Sequence, residues 1–353
     1  MTGSQVPALK KMDFPLTFCQ VISALAVTIL HTNSCFWVFS STRLYWFSAN
    51  VIECVFYFAV PVFFMITGIN LADYKDRYST KTFFIKRAEK TLIPYIFWSV
   101  IALIFQISTG GLKPSDITPS WVARSLIRTD NIITYYWFFG ALFIFYLLMP
   151  LIASIKKEHR DKAFRTLILV LFLCNILDFF VLRMLVTAPD LIDTIDIGLG
   201  NLIFIFLGYY IYKKPPVLLA KLLIYILAIA GLLVHMNGTY RLSNTCDHLN
   251  VLFKGYPNFP SVLYSLGMFI LLRDIGALIE KIGWLKKFFE MLGKYSYEVF
   301  LLHWFIINIT KLIVRLNPVS LVYRLLFPIV IYAVIIPITW FLRKIPGIRK
   351  AVP

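Results

Sequence analysis

The sequence predicts an all-α integral membrane protein with about ten transmembrane helices. Hydrophobic residues fill 59% of the 353 positions, charged residues fill only 15%, and the mean hydropathy is +0.76. A soluble domain is usually about half apolar and about a quarter charged, so a water-soluble chain of this length could not bury so much apolar surface. A bilayer removes that difficulty, because lipid then solvates the apolar side chains.

Ten segments of the chain are candidates for membrane spans, since a helix needs about 20 mostly apolar residues to cross the hydrocarbon core. The sixth and eighth are the weakest predictions, because the sixth contains Asp196 and Asn201 and the eighth is broken by Arg273 and Asp274. The segments cover residues 14–38, 46–71, 91–108, 135–155, 163–185, 195–212, 217–235, 259–279, 295–314 and 321–342.

The distribution of Lys and Arg predicts the orientation of these spans. With a cytoplasmic amino terminus, the cytoplasmic side receives 25 of the 35 Lys and Arg residues and the outer side receives 10. Short cytoplasmic loops are enriched in Lys and Arg, so both termini of a multi-pass protein of the cell membrane are expected in the cytoplasm. The formal charge of +17 is thus a topology signal rather than a basic face for nucleic acid.

The remaining bulk features predict one membrane-embedded domain over residues 1–353. Lys10 and Lys11 precede an apolar stretch that has no small-residue cleavage site, so the first span is expected to remain in the protein. The five cysteines lack metal-type spacing, and no metal is expected. In the outer loop 110–133, Thr118 or Ser120 could cap a short amphipathic helix with Trp121, Leu126 and Ile127 on its apolar side. The loop 236–257 is polar.

Ionisable groups within the spans are functional candidates, because each costs several kcal/mol in hydrocarbon unless it is paired or hydrated. The sequence offers five: His31, Glu53, Asp178, Asp196 and His303. The two aspartates are expected to be structural or to line a pore. For His303, the sequence supports a helix-packing role and a site role about equally.

His31 and Glu53 are expected at similar depth on sequential helices, each about seven residues from the outer end of its span. A carboxylate that hydrogen-bonds an imidazole fixes its tautomer and raises its basicity. The alternative is a structural polar pair that ties two helices together. The polar run that follows His31, which includes Asn33, suits a hydrated cavity, and His31 is taken as the only intramembrane histidine near the outer face.

A cluster of basic residues lies before the third span. Lys81, Lys86, Arg87 and Lys90 crowd the start of this helix, which suits a phosphate-rich ligand. Attraction to anionic lipid together with a topology role is the better explanation of the cluster taken alone. Phosphate-binding, zinc-protease, esterase and dinucleotide motifs are absent from the sequence.

Five segments in this order resemble the acyltransferase-3 family. The first span contains the apolar run Val21-Ile-Ser-Ala-Leu-Ala-Val-Thr-Ile-Leu-His31, and the second contains Pro61-Val-Phe-Phe-Met-Ile-Thr-Gly68. The run Lys86-Arg-Ala-Glu-Lys90 precedes Pro94-Tyr95. Later segments are Tyr136-Trp137-Phe-Phe-Gly with Tyr146-Leu-Leu-Met-Pro150, and Ser296-Tyr-Glu-Val-Phe-Leu-Leu-His303.

The resemblance implies transfer of an acyl group, commonly acetyl from acetyl-CoA, to a hydroxyl of a sugar or cell-envelope glycan, including lipid-linked sugars. It implies that His31 is the essential histidine and that Arg87 and Lys90 bind acyl-CoA. With the preceding arguments, we expect His31 to be the general base with Glu53 beside it, and Lys86 to join the acyl-CoA site. Asn33, Tyr136, Trp137, Ser296 and His303 are the expected substrate-binding residues. One departure is Gln20, at a position where many members carry Arg.

The main alternative function is a transporter or flippase for a polar lipid or a lipid-linked glycan, since polar midplane residues in a ten-helix bundle fit transport as well. The absence of an inverted repeat counts against it. Membrane lipid is an expected partner in either case, and a homo-oligomer is left open by the sequence.

Overall fold

The structure, a computed structural model, describes residues 13–179 and 199–353. Both ranges are helical and contain no strand, which confirms the all-α prediction. The helices are α1 Phe14–Thr32, α2 Leu44–Phe56, α3 Ala59–Leu71, α4 Thr80–Arg87, α5 Ile93–Ser108, α6 Pro119–Arg128, α7 Trp137–Ile152, α8 Lys157–Leu177, α9 Leu202–Lys213, α10 Leu218–Cys246, α11 Phe259–Ile279, α12 Gly283–Gly293, α13 Ser296–Ile313, α14 Leu321–Leu325 and α15 Phe327–Leu342.

Six helical segments in the described ranges are long and apolar enough to cross a membrane. They are Phe14–Thr32, Leu44–Asp76, Thr80–Ser108, Thr134–Ile152, Leu218–Cys246 and Phe259–Ile279. The helices α9 and α15 are apolar but shorter. The predicted spans 163–185 and 195–212 extend beyond the described residues, as does Asp196. The count of about ten therefore stays a prediction.

Helix α1 lies at the centre of the bundle. Its first turn is capped by Asp13, whose carboxylate accepts a hydrogen bond from the Leu16 amide at 3.0 Å, and Pro15 fits the amino-terminal turn because that position needs no amide donor. The helix packs against α3, α11, α12, α13 and α15. Side chains near its carboxyl end are therefore enclosed by several other helices.

Both ends of the described chain lie at one end of the bundle. Thr17, in the first turn of α1, packs against Gly293, and Arg343, which follows α15, donates a hydrogen bond to the Lys294 carbonyl. We call this end, which also carries Arg87 and Lys90, the basic end. The chain between α1 and α15 must therefore cross the bundle an even number of times, in agreement with the predicted parity.

Helices α3 and α9 touch backbone to backbone. A Cβ atom at Gly68 would lie 2.1 Å from the Ile205 carbonyl oxygen, and one at Gly208 would lie 2.3 Å from the Met65 carbonyl oxygen. Small residues at a helix interface permit this approach, and dispersion contacts then stabilise the pair inside a bilayer. Gly68, which the sequence presents as part of a family motif, has a packing role here.

Two loop predictions have different outcomes. The predicted short helix in the first outer loop is present as α6, and the Thr118 hydroxyl caps it by accepting a hydrogen bond from the Trp121 amide at 3.1 Å. Ile127 is 80% exposed rather than on the packed side. The predicted polar loop 236–257 was wrong in its first half, because α10 continues to Cys246.

Helix α10 extends past residue 235, the predicted end of its span. The polar residues that follow are compatible with a helix that is only partly buried. Gly238 is the one residue near the boundary with low helix propensity, and here it is packed against the Phe253 ring, which a Cβ atom would meet at 2.6 Å. Tertiary packing thus overrides the polarity that suggested a loop.

Candidate active site

Two histidines from opposite parts of the sequence meet inside the bundle. The Nδ1 atom of His31, in the last turn of α1, lies 2.6 Å from Nε2 of His303 on α13. The rings are almost parallel, with an interplanar angle of 7°. His303 has no exposed surface, whereas His31 is half-buried. His303 is therefore the more enclosed of the two rings.

The hydrogen bonds fix the tautomers of this pair. His303 Nδ1 lies 2.9 Å from the Val299 carbonyl oxygen, which can only accept a hydrogen bond, so Nδ1 carries the proton. In a neutral His303 ring, Nε2 is then an acceptor, and His31 donates to it from Nδ1. The His31 Nε2 atom keeps its lone pair and forms no hydrogen bond to a described residue. That nitrogen is available as a base.

Tyr135 covers one face of the His31 ring. The two ring centroids are 3.4 Å apart with an interplanar angle of 3°, so the phenol and imidazole rings are stacked. This contact and the hydrogen bond to His303 together restrict rotation of the imidazole. Tyr135 was not among the predicted site residues, although Tyr136 and Trp137, the next two residues, were.

The expected contact between His31 and Glu53 is absent, and Glu53 has other partners. Its Oε1 accepts a hydrogen bond from the Lys254 ammonium at 2.6 Å, and its Oε2 accepts one from the Asn33 amide at 3.2 Å. Helix α2 directs the carboxylate toward the loop that carries Lys254 rather than toward the His31 ring. His303 therefore occupies the position relative to His31 that was predicted for Glu53.

Asn33 joins this ion pair to a second buried cation. Its amide also donates to the Ala49 carbonyl at 2.9 Å, and its Oδ1 accepts from the Arg324 guanidinium at 3.3 Å. Arg324 is 1% exposed and donates as well to Ser48 Oγ and the Val319 carbonyl. The end of α1 is thus held by charged groups from α2, α14 and the loop after α10.

Several buried ionisable groups were not predicted from the sequence. Lys254 and Arg324 were assigned to the outer side as topology signals, and Glu298 and His235 lie within predicted spans but were not selected. His235 is 2% exposed and packs edge-on against Tyr57 at 5.1 Å. His31 is therefore not the only buried histidine at this end of the bundle. The sequence feature that could have identified these four residues was their position near the ends of predicted spans.

A cavity of about 390 Å³ opens at the basic end. Its polar lining comes from α1, from the turn between α4 and α5, and from α13, and includes Gln20, Arg87, Lys90, Thr91, Ser296 and Tyr297. Residues Ala88–Leu92 form one π-helical turn, a widened turn that often occurs at functional sites. This turn brings Arg87 and Lys90 to the same cavity wall.

Two polar atoms of this cavity lack partners among the described residues. Arg87 Nε and the Tyr297 hydroxyl are both buried and form no hydrogen bond there. The Arg87 guanidinium lies over the Tyr146 ring, 5.6 Å from its centroid, and forms no ion pair with a described carboxylate. Buried donors without partners are uncommon in proteins, so these groups suit a polar, anionic ligand.

The cavity ends one helical turn below the histidine pair. Its closed end is lined by Phe63, Phe138 and Phe300, and the Phe138 and Phe300 centroids are 5.0 Å apart. The Phe300 ring is 6.1 Å from the His303 ring, and three residues of helix separate them by about 4.5 Å along the axis. Aromatic side chains thus separate the basic cavity from His31.

The remaining predicted site residues have other surroundings. The Tyr136 hydroxyl donates to the Leu301 carbonyl at 2.9 Å, which ties α13 to the start of α7. Trp137 stacks on Tyr256, with centroids 5.4 Å apart. Lys86 places its ammonium 4.4 Å from the Tyr78 ring centroid and does not line the cavity. No group of three potential metal ligands occurs within residues 13–179 and 199–353.

Comparison with known protein families identifies the class of this protein as a membrane-embedded acyltransferase. The model of the acyltransferase-3 family, described as an acyltransferase domain, matches residues 16–344. The chain therefore belongs to the acyltransferase-3 family. Its members are usually acyltransferases rather than transporters, which disfavours the transport alternative. No curated protein and no solved structure matches the chain significantly.

Proposed function

We propose that the protein transfers an acyl group, most simply acetyl, from acyl-CoA to a hydroxyl of a sugar or cell-envelope glycan, with His31 as the general base. The observation that carries this proposal is the His31–His303 hydrogen bond. Because His303 Nδ1 donates to the Val299 carbonyl, the pair leaves His31 Nε2 unprotonated on a half-buried ring. A free imidazole nitrogen at an accessible position is what the deprotonation of a hydroxyl requires.

The reaction follows from this arrangement. His31 Nε2 takes the proton of the acceptor hydroxyl while the hydroxyl oxygen attacks the thioester carbonyl. The tetrahedral intermediate then expels the CoA thiolate, and the His31 imidazolium returns the proton to sulfur. His303 accepts the Nδ1–H hydrogen bond throughout, so the ring keeps its orientation as its charge changes.

The basic cavity suits the donor. Arg87 and Lys90 can bind phosphate groups at its wall, and its apolar closed end suits the pantetheine arm. The thioester would reach His31 only after the Phe138 and Phe300 rings, which are in contact, rotate apart. The acceptor would approach from the opposite end, where Lys254, Asn33 and Arg324 lie.

The test compares His31→Ala, His303→Ala and the native protein in proteoliposomes supplied with radiolabelled acetyl-CoA and the glycan fraction of the host envelope. Loss of a general base costs about 10²–10⁴ in rate, so His31→Ala should approach inactivity. His303→Ala, which removes only the orienting partner, should lower kcat less. Both variants should keep the native affinity for acetyl-CoA, because neither residue lines the donor cavity.

His235→Gln is the matched control, since it changes another buried histidine at the same end of the bundle. It should retain near-native turnover. Near-native turnover of His31→Ala would refute the assignment of the base, and a native protein that moves the glycan without labelling it would refute acyl transfer.

A further inference from the structure

The segment after α15 folds back into the basic end. Ala351 and Val352 are 2% and 1% exposed, although they lie beyond the last apolar helix. The Trp98 indole donates to the Ala351 main-chain oxygen at 2.9 Å, and Arg343 donates to the main-chain oxygens of Val352 and Pro353 at 3.2 and 2.9 Å. The helical turn Ile348–Lys350 is thereby held in place, and we call residues 348–353 the docked tail.

The docked tail forms one wall of a second cavity of about 470 Å³. Lys90 and Pro353 line both this cavity and the 390 Å³ donor cavity, so the two adjoin. The second cavity also receives the side chains of Arg349 and Lys350 from the tail, and of Glu89 from the turn before α5. A ligand in the donor cavity can therefore extend to the tail without crossing the protein interior.

The cations of this second cavity are not neutralised. Lys90, Arg349 and Lys350 form no ion pair with a described carboxylate, whereas Arg343 is held by Glu298 at 2.7 Å. Glu89 is the one carboxylate side chain that lines this cavity. Three cationic side chains without an ion-pair partner against this one carboxylate side chain give the lining side chains a net positive charge, which would attract a multivalent anion.

A third cavity at the basic end provides the comparison. It measures about 550 Å³ and its wall is also rich in cations. There Arg160 and Lys157 pair with Asp76, and Lys214 pairs with Asp161. Asp73 holds Arg77 and Lys213 in the same way. Since each of those cations already has a carboxylate partner, the cavity beside the docked tail is the better phosphate site.

We propose that Arg349 and Lys350, together with Lys90, bind phosphate groups of the nucleotide head of acyl-CoA, while the pantetheine arm lies in the donor cavity. This assignment rests on the proposed function. A phosphomonoester carries about −1.5 to −2 charges at neutral pH, and the head group of CoA has one in addition to its diphosphate. An anionic lipid headgroup offers the same chemistry, so the experiment must separate the two sources.

The experiment measures acetyl-CoA and 3′-dephospho-acetyl-CoA binding by calorimetry, with the full chain in nanodiscs of neutral or of anionic lipid. The double variant Arg349→Gln/Lys350→Gln should bind acetyl-CoA about tenfold more weakly than the native protein in neutral discs. The preference for the 3′-phosphate should shrink in the variant. The matched control Lys162→Gln/Lys281→Gln removes two exposed cations that line none of these cavities and should bind as the native protein does.

The outcomes separate this inference from the proposed function. Native affinity of the tail variant in neutral discs would overturn the assignment, and a variant effect confined to anionic discs would assign the tail cations to lipid instead. If the native protein binds no acetyl-CoA, the proposed donor itself fails and the tail assignment fails with it. Weaker binding by the tail variant with a native-like control supports both.

Discussion

At the scale of single residues, chemistry depends on which polar atoms remain without partners. The Asn33 side chain forms three hydrogen bonds, to Ala49, Glu53 and Arg324, so it supports the site mechanically. His31 Nε2 and Arg87 Nε, by contrast, have no described partner. Buried polar atoms are normally satisfied in a folded protein, so the partnerless Arg87 Nε supports the proposed anionic ligand of the donor cavity.

The donor cavity yields a prediction at this scale. Charge-assisted contacts to phosphate are typically worth about 1.5–3 kcal/mol each, so Arg87→Gln and Lys90→Gln should each weaken acetyl-CoA binding by about tenfold or more. Glutamine keeps much of the side-chain length and removes the charge. The measurement is the dissociation constant by calorimetry at two salt concentrations.

Lys81→Gln is the control for these variants. Lys81 lies on the same helix α4, is exposed and lines neither donor-side cavity. It should leave the affinity unchanged. If the double variant of Arg87 and Lys90 also kept native affinity, the donor phosphates could not lie where we place them.

At the scale of helices, the contact between α3 and α9 depends on two glycines. A methyl group at Gly68 or Gly208 would overlap the facing main chain, which cannot move aside as a flexible side chain would. Overpacking costs about 1–3 kcal/mol, which exceeds the gain of about 1 kcal/mol in helix propensity from Gly to Ala. Gly68→Ala and Gly208→Ala should therefore each lower the thermal unfolding midpoint in detergent.

Gly283→Ala serves as the control for this packing prediction. No atom lies within 4 Å of a Cβ placed at Gly283, so the methyl group has room. Its unfolding midpoint should equal or slightly exceed that of the native protein. Equal midpoints for all three alanine variants would contradict this prediction, because the α3–α9 interface would then accommodate a methyl group without loss of stability.

At the scale of the whole molecule, the structure places both described chain ends at the basic end and the distribution of charge predicts which side of the membrane that is. A reporter enzyme active only in the cytoplasm, fused after Pro353, should be active, because the cytoplasmic loops carry the excess of Lys and Arg. A reporter active only outside the cytoplasm should be silent at the same position. The reverse pattern would invert the bundle and the proposed sides for donor and acceptor.

The predictable part of the site was the part encoded in local sequence. Arg87 and Lys90 are three residues apart, so any helical turn places them near each other, and both line one cavity as expected. His31 and His303 are separated by 272 positions, and each was selected because an ionisable group in an apolar span is costly. Their contact could not be predicted, because no local pattern specifies which helices become neighbours.

The sequence by itself determined the membrane-embedded all-α class, the family and most helix positions, because these follow from apolar composition and from motifs read within one segment. Only the tertiary structure decided the partners of the charged groups. It paired Glu53 with Lys254 rather than His31, gave His31 the imidazole of His303, and brought the docked tail beside Lys90. The physical reason is that helix formation satisfies local backbone hydrogen bonds, whereas a buried charge must find its partner among side chains from distant parts of the chain.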